Sequence, residues 1–237
     1  MFTEQRLAIS AAEVTEEMDV ARSTAYRYLQ SLVGSGFLEE SDGGRFRLGR
    51  RILELARLAR RGIGLSEVAR PVMRRLAAET AETVLLTRLA GSTVICLERE
   101  EAEHQTIRIS YERGQVVPIN AGASAFVLLA WMDKPELEAL LPTVTLDPIT
   151  PATITTKAAL RKRLAETAAQ GYGLSRGELD EDVLGVAAPI RDARGRVAAA
   201  ISVAAVAARV PERRIPALAE AVRAAADEIS QTLALMD

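Results

Sequence analysis

A group of side chains that can hydrogen-bond to nucleic acid lies near the start of the chain: Arg22, Ser23, Thr24, Tyr26 and Arg27. An arginine can donate two parallel hydrogen bonds to guanine or bind a phosphate, and hydroxyls can bond to either. Their spacing predicts that they occupy the first turns of one helix, the part that a helix-turn-helix presents to the major groove. An ordinary amphipathic helix with a solvated arginine face has the same pattern, so these residues alone leave both interpretations open.

Two predicted helices joined by a tight turn would position this group. Ser10 and Glu13 have the spacing of a capping box, which predicts a first helix from there to about residue 17. Asp19 suits the turn because aspartate tolerates left-handed backbone better than most residues. The second helix is predicted over residues 21–33 and ends at a Gly-Ser-Gly run. Its expected buried face consists of Ala25, Leu29 and Leu32, bordered by Tyr28 and Val33.

A basic hairpin is predicted directly after the second helix. Two alternating runs, 37–40 and 45–48, flank a glycine-containing turn at 41–44. Arg45 and Arg47 would lie at the hairpin tip, where they could contact the minor groove or the phosphate backbone. The side chains expected to point inward are Phe46 and Leu48. Helix, tight turn, helix and basic hairpin follow one another in the order of a winged helix.

The distribution of charge fits this prediction without deciding it. Residues 1–21 carry one arginine and five acids, a net charge of −4, whereas residues 22–61 carry nine arginines and four acids, a net charge of +5. A basic segment on a chain of net charge −2 suits phosphate contacts confined to one module. Arginine is abundant along the whole chain, however, so charge alone is weak support.

Composition excludes several classes of protein. At 237 residues the chain can form one or two domains with a sizeable core. No apolar run reaches the ~18 residues of a membrane span, and the start lacks the apolar stretch of a secretory signal. A single cysteine, Cys96, fits a reducing compartment. We therefore expect a cytoplasmic protein with no membrane partner. With one cysteine and one histidine, His104, a zinc finger is excluded, and neither a metal nor a cofactor is predicted.

Cys96 and His104 do not suggest a catalytic pair. Cys96 is predicted in the middle of an apolar strand, where a thiol is usually inert. His104 lies in a charged loop, and no third group that could orient it is evident. No catalytic residue is predicted.

Helix and strand patterns fill the rest of the chain. An arginine- and leucine-rich connector helix is predicted over 49–61, then a helix over 66–80 that Pro71 should kink or restart. The remaining predictions are strands over 83–88, 93–98 and 105–111, helices over 124–132 and 135–141, a helix capped by Thr156 and ended by Gly171, a hairpin of strands 183–190 and 196–206, and a last helix over 211–236.

A second candidate site is the small-residue turn Gly122, Ala123 and Ser124, at the start of the predicted helix over 124–132. Small residues allow close approach of a ligand, and the amides of a helix N-terminus favour a carboxylate. A plain strand-to-helix turn would need the same small residues, so this interpretation stays open. The hydroxyls of Ser175 and Ser202 could bond to a ligand's polar end or to nearby backbone.

The sequence resembles one known family along nearly its whole length, in order. RSTAYRYLQSLVGSGFLE (22–39) and GRFRLG (44–49) are similar to the DNA-binding half of IclR-family transcriptional regulators. VPINAGAS (117–124) resembles the family's segment at the mouth of the effector pocket. Gly171-Tyr172, GVAAPIRD (185–192), Gly195 and AAISV (199–203) resemble its C-terminal signature.

The resemblance implies an α+β protein in three parts: a winged helix-turn-helix over 1–48, a connector helix over 49–62 and a GAF-like antiparallel sheet flanked by helices over 63–237. The family has a full helix ahead of the capping-box helix, and only nine residues precede Ser10 here, so the head is expected to lack its first helix. The implied partners are palindromic double-stranded DNA operators and a small-molecule effector, often a carboxylic or aromatic acid. Homodimers or dimers of dimers are expected.

The resemblance also assigns the effector-binding positions: Gly122, Ala123, Ser124, Ser175, Gly185, Ser202 and Ala204. Ser175, Gly185 and Ala204 stand where relatives that bind small oxo-acids have other polar groups. Fewer fixed hydrogen-bonding groups predict a larger or more apolar ligand. Two other functions stay open: a winged helix that binds protein rather than an operator, and an enzyme on the GAF-like domain.

Overall fold

The computed structural model describes residues 1–3, 5–61, 64–102 and 111–235, without the side chains of 56–61. The chain forms two compact units, Met1–Ile63 and Gly64–Asp237. Each unit has its own hydrophobic core. In the described chain no helix is both long and apolar enough to cross a membrane.

The first unit is a helix-turn-helix followed by a hairpin. Its elements are β1 (Ala8–Ser10), α1 (Ala11–Met18), α2 (Arg22–Gly34), β2 (Leu38–Ser41), β3 (Arg45–Leu48) and α3 (Arg50–Arg61). The three strands are antiparallel in the order β1-β3-β2. Ahead of Ser10 the described residues form a Thr3–Arg6 bridge and strand β1, which the sequence did not suggest.

Local signals explain the first helix and the turn after it. The Ser10 hydroxyl accepts from the Glu13 amide, and the Glu13 carboxylate accepts from the Ser10 amide at 2.6 Å, which confirms the capping box. These bonds hold the pKa of Glu13 below its ordinary value. Asp19 has a left-handed φ of 50°, as its residue type predicts.

Two side chains predicted to be buried in this unit are instead exposed. Leu32 is 42% exposed and Leu48 is 51% exposed, whereas Ala25, Leu29 and Phe46 are buried as predicted. Leu32 lies in the last turn of α2 and Leu48 is the last residue of β3. Both therefore lie at the edge of a small core, where periodicity continues but none of the described elements of this unit covers the side chain.

The second unit contains a six-stranded antiparallel sheet in the order β6-β5-β4-β9-β8-β7. Its strands are β4 (Thr83–Ala90), β5 (Thr93–Glu100), β6 (Val116–Val117), β7 (Gly173–Arg176), β8 (Val183–Arg191) and β9 (Val197–Val206). Its helices are α4 (Gly64–Thr80), α5 (Ala123–Ala130), α6 (Lys134–Leu140), α7 (Lys157–Gln170) and α8 (Ile215–Ala234). Helix α4 packs with α8 and helix α5 with α7, and members of both pairs contact the sheet. This architecture confirms the predicted fold class.

Several details of the second unit differ from the sequence-based expectation. Helix α4 continues through Pro71 instead of restarting there, because a stripe of buried apolar side chains on both sides of the proline holds it against the core. The last helix begins at Ile215, since Glu212–Arg214 form a short 3-10 turn. Strands β6 and β7 were not predicted. Most of the predicted strand 105–111 lies outside the described residues. Thr156 caps α7 and Gly171 ends it with a φ of 79°, both as predicted.

Candidate functional site

The N-terminal half of α2 presents the predicted nucleic-acid-binding group to solvent. Arg22, Ser23, Tyr26 and Arg27 are exposed, and Thr24 is half-buried. Among the described residues, neither Arg22 nor Arg27 has an acidic partner. The residue before the helix is an alanine and gives no side-chain cap, so no side-chain oxygen accepts from the first amides of α2. Two free guanidinium groups beside free helix amides suit an anionic surface.

The hairpin arginines are in a different situation. Arg45 Nη2 donates to the backbone oxygen of Ala8 at 2.6 Å and lies 3.5 Å from the Glu13 carboxylate. Arg47 Nη2 lies 3.1 Å from Glu39 Oε2. Both arginines are exposed but already paired. To bind a phosphate they would have to exchange one anionic partner for another, which reduces the net gain.

Tyr26 packs against the hairpin core and is also partly exposed to solvent. Its ring packs edge-on against Phe46, with 6.0 Å between centroids, although half of the residue remains exposed. This contact links the candidate reading helix to the hairpin core. The side chain can therefore orient α2 on β3 and still offer its hydroxyl to solvent.

In the second unit, one cavity lies between the start of α5 and the sheet, and its lining is mostly apolar with a few polar groups, which is typical of small-molecule sites. All seven effector-binding positions that the resemblance assigned line this cavity: Gly122, Ala123, Ser124, Ser175, Gly185, Ser202 and Ala204. They come from α5 with the turn before it and from three neighbouring strands, β7, β8 and β9.

Two glycines let the start of α5 approach the sheet closely. A Cβ on Gly173 would lie 2.5 Å from the carbonyl oxygen of Ala123 and 2.8 Å from Val127 Cγ2. A Cβ on Gly185 would lie 2.5 Å from Ser175 Oγ and 3.3 Å from Ala123 Cβ. Gly122, at the N-cap of α5, has a φ of 88° that favours glycine. The helix N-terminus is thereby brought against β7 and β8, at the cavity wall.

Three serine hydroxyls contribute to the polar part of the cavity. Ser124 Oγ donates to Ser202 Oγ at 2.9 Å. Ser175 is buried and lies across from Gly185 in the β7–β8 pairing. Together with the amides at the start of α5, these groups can donate hydrogen bonds to a carboxylate or a hydroxyl.

Sequence reasoning missed several side chains that line the cavity, among them Leu85, Cys96, Tyr111, Gln115, Leu179 and Asp180. Their segments are far apart in the sequence, and no motif marks them. Burial, followed by the charge of Asp180, raises the pKa of Tyr111. Cys96 was predicted as a core thiol, and burial with the nearby Glu98 raises its pKa to about 11. A thiol with that pKa is a poor nucleophile at neutral pH. His104 lies outside the described residues.

The charge of the cavity limits how a ligand can be held. Among the described lining residues none is Lys, Arg or His, and Asp180 carries the one carboxyl group. An acidic ligand would therefore be bound by amides and hydroxyls rather than by a salt bridge. No group of three or more candidate metal ligands occurs among the residues that the structure describes.

Comparisons with known proteins agree for both units. Residues 1–42 match the family description "IclR helix-turn-helix domain", and residues 58–231 match "Bacterial transcriptional regulator IclR C-terminal". The chain is 34% identical over 223 residues to the HTH-type transcriptional regulator BhcR of Paracoccus denitrificans, a match covering 94% of this chain and 80% of BhcR.

Solved structures give the same result. An IclR transcriptional regulator from Silicibacter is 28% identical with a TM-score of 0.87, covering 98% of this chain and 92% of that one. An IclR homolog from Microbacterium hydrocarbonoxydans, crystallised in complex with 4-hydroxybenzoate, is 30% identical with a TM-score of 0.79, covering 98% and 94%.

Proposed function

The chain belongs to the IclR family of bacterial transcriptional regulators, and from this premise we propose that binding of a small organic acid in the second unit changes how the first unit binds its operator. One observation carries the proposal: all seven positions expected to bind the effector line a single cavity. The proposal assigns no catalytic step to the cavity. Its polar groups are hydroxyls, amides, a glutamine and one carboxylate, and its thiol has a raised pKa.

For the first unit, the proposed base-reading residues are Arg22, Ser23, Thr24, Tyr26 and Arg27, at the exposed start of α2. Arg45 and Arg47 would contact the phosphate backbone. We propose that a homodimer or a dimer of dimers binds a palindromic operator, with half-sites one helical turn or a multiple of it apart.

The proposed ligand is an aromatic or other apolar carboxylic acid. The amides of Ala123 and Ser124 at the start of α5 would take the carboxylate, and the apolar walls around Leu85 and Leu179 would cover the rest. A relative bound to 4-hydroxybenzoate supports an aromatic acid as the class to test first. Asp180 and Tyr111 would favour a ligand that also carries a hydrogen-bond donor.

Ligand binding is tested by thermal unfolding of the full chain with 4-hydroxybenzoate and benzoate as probes. A probe that binds only the folded state stabilises it by about 2.7 kcal/mol at 100 times its Kd, so the midpoint should rise with concentration. Ala204→Phe should abolish the rise, because Ala204 lines the cavity and the ring would occupy it. Ala193→Phe, in the exposed β8–β9 turn, is the matched control and should keep the rise. An equal rise in Ala204→Phe would contradict binding in this cavity.

Operator binding is tested by selecting duplexes from a random library with the full chain. We expect an enriched palindromic sequence whose affinity falls steeply as salt increases, because phosphate contacts release counterions. If no sequence is enriched and binding does not depend on salt, the first unit is a protein-interaction module instead.

A further inference from the structure

Loop 147–154 is hydrogen-bonded to two segments that border the cavity, 120–122 before α5 and 177–180 between β7 and β8. On one side it is held by Asn120, which is fully buried. Asn120 Nδ2 donates to the carbonyl oxygen of Asp147 at 3.1 Å and to that of Ile154 at 2.9 Å. One amide group therefore fixes both ends of the loop to the turn that leads into α5.

On the other side, two threonine hydroxyls bind the loop between β7 and β8. Thr150 Oγ1 donates to the carbonyl oxygen of Gly177 at 2.6 Å, and Thr153 Oγ1 donates to that of Glu178 at 2.6 Å. Thr153 Oγ1 also accepts from the amides of Ile149 and Thr150, at 3.1 and 2.8 Å. The Thr153 hydroxyl thus uses its donor and both acceptor positions in a largely buried site.

The segments joined in this way carry the two lips of the cavity. Ala121 and Gly122, next to Asn120, line one side, and Leu179 and Asp180, next to Glu178, line the other. The two segments face each other across the opening, and the Leu179 side chain is the nearest neighbour that a Cβ on Gly122 would have, at 3.8 Å. Leu179 is half-buried and Asp180 is exposed, so the cavity reaches the protein surface between these two segments. If the attachment of either segment loosened, the opening would widen.

The β7–β8 lip is itself anchored to the body of the second unit. Glu178 is buried, and its carboxylate accepts from Arg163 Nη1 of α7 at 2.7 Å and from the backbone amide of Arg176. The Glu178 end of this segment is therefore held by an ion pair with Arg163. Beyond Glu178, the Asp180 carbonyl accepts from the Val183 amide at 3.0 Å, so the segment folds back onto β8, and the two threonine bonds join it to loop 147–154.

We propose that Asn120, Thr150 and Thr153 are positioning residues that hold the cavity mouth closed and so control access to it; as a statement about the ligand site, this rests on the proposed function. None of the three side chains is among the residues that line the cavity. They act through the segments that do. A loop that served stability alone would affect unfolding of the whole unit without changing access to the cavity in the folded state.

Cys96 provides a way to measure this access without a ligand. It is the one cysteine of the chain, it lines the cavity, and it is 4% exposed. Its thiol should react slowly with a small methanethiosulfonate reagent while the mouth is closed. The rate of modification, followed by mass spectrometry on the full chain without denaturant, therefore reports how often the mouth opens.

Thr153→Val keeps the shape of the side chain but removes the bonds to the Glu178 carbonyl and the two amides. We expect Cys96 to react about tenfold faster, the factor that corresponds to one hydrogen bond of ordinary net strength. Thr153→Ser, which keeps the hydroxyl, should restore most of the slow rate. Thr143→Val is the matched control, because Thr143 Oγ1 donates to the Leu140 carbonyl at 2.8 Å on an exposed helix end away from the cavity.

The proposal is overturned if Thr153→Val reacts no faster than Thr143→Val. It is equally overturned if the gain in rate equals the gain in the global unfolding constant, measured by urea denaturation of the same variants. Thr150→Val, which loses the bond to Gly177, gives the same comparison if Thr153→Val does not fold. Since no ligand is used, failure to find an effector would leave this result standing, and a negative result here would leave the ligand experiment standing.

Discussion

Replacing Arg27 with alanine is expected to weaken binding of the selected operator by about 1–3 kcal/mol, which is roughly 5- to 150-fold. The guanidinium is exposed on α2 and has no acidic partner among the described residues. The substitution therefore breaks no ion pair in the unbound protein, and its cost should appear in operator binding. If Arg27 reads a guanine, the loss should be largest on the selected duplex and small on duplexes with that base pair changed. Fluorescence anisotropy titrations across a set of single-base variants measure this directly.

Arg47→Ala is the control for this prediction. Arg47 is exposed too, but it is paired with Glu39 at 3.1 Å, and a phosphate contact would carry no sequence information. Its loss should weaken binding equally on all duplexes and lower the salt dependence by about one counterion. The assignment of Arg27 is wrong if Arg27→Ala binds as tightly as the parent, or if its loss is the same on every duplex.

Gly173→Ala is expected to destabilise the second unit by about 2–3 kcal/mol, the upper part of the range for an overpacked core. The added methyl would lie 2.5 Å from the Ala123 carbonyl oxygen, a backbone atom that can move only if α5 shifts from β7. That shift would also displace the amides proposed to bind the carboxylate. Urea denaturation gives the change in the free energy of unfolding, and the thermal assay with 4-hydroxybenzoate tests for loss of binding.

Gly185→Ala separates this effect from a general intolerance of added volume. The nearest atom to its methyl would be Ser175 Oγ, also at 2.5 Å, but a hydroxyl can rotate to another rotamer. We therefore expect a clearly smaller loss of stability than for Gly173→Ala, together with weaker ligand binding because Ser175 changes position. Equal losses of stability in the two variants would contradict the argument from backbone contact.

Local sequence signals predict the helices and the hairpin of the first unit, but they miss strand β1 and the edge of the core. The capping box at Ser10 and Glu13, the left-handed Asp19 and the hairpin around 41–44 depend on neighbours within a few residues. Burial of Leu32 and Leu48 depends instead on whether another element extends far enough to cover them. Periodicity indicates the face on which a side chain lies, but it does not indicate where the core ends.

The same distinction applies to the residues that line the cavity: local patterns mark some of them, and others are brought there only by the fold. The small residues at 122–124 and the serines stand out in the sequence, and the family resemblance supplies the remaining positions. Tyr111, Gln115 and Asp180 could not be predicted, because the sheet register brings their segments together. The pairing of β5 with β6 carries Gln115 to Cys96, whose amide donates to the Gln115 carbonyl at 2.9 Å. No local pattern encodes that pairing.

The order of the strands also determines when the second unit can fold. Strand β4 pairs with β5 across a short turn, but its other neighbour is β9, and Thr83 lies opposite Ala204, about 120 residues later. During synthesis, β4 cannot pair with β9 until nearly the whole second unit has been made. The helices and hairpin of the first unit need only their own 63 residues. A nascent chain would therefore carry a finished head while its sheet still has an open edge, which is the stage most exposed to aggregation.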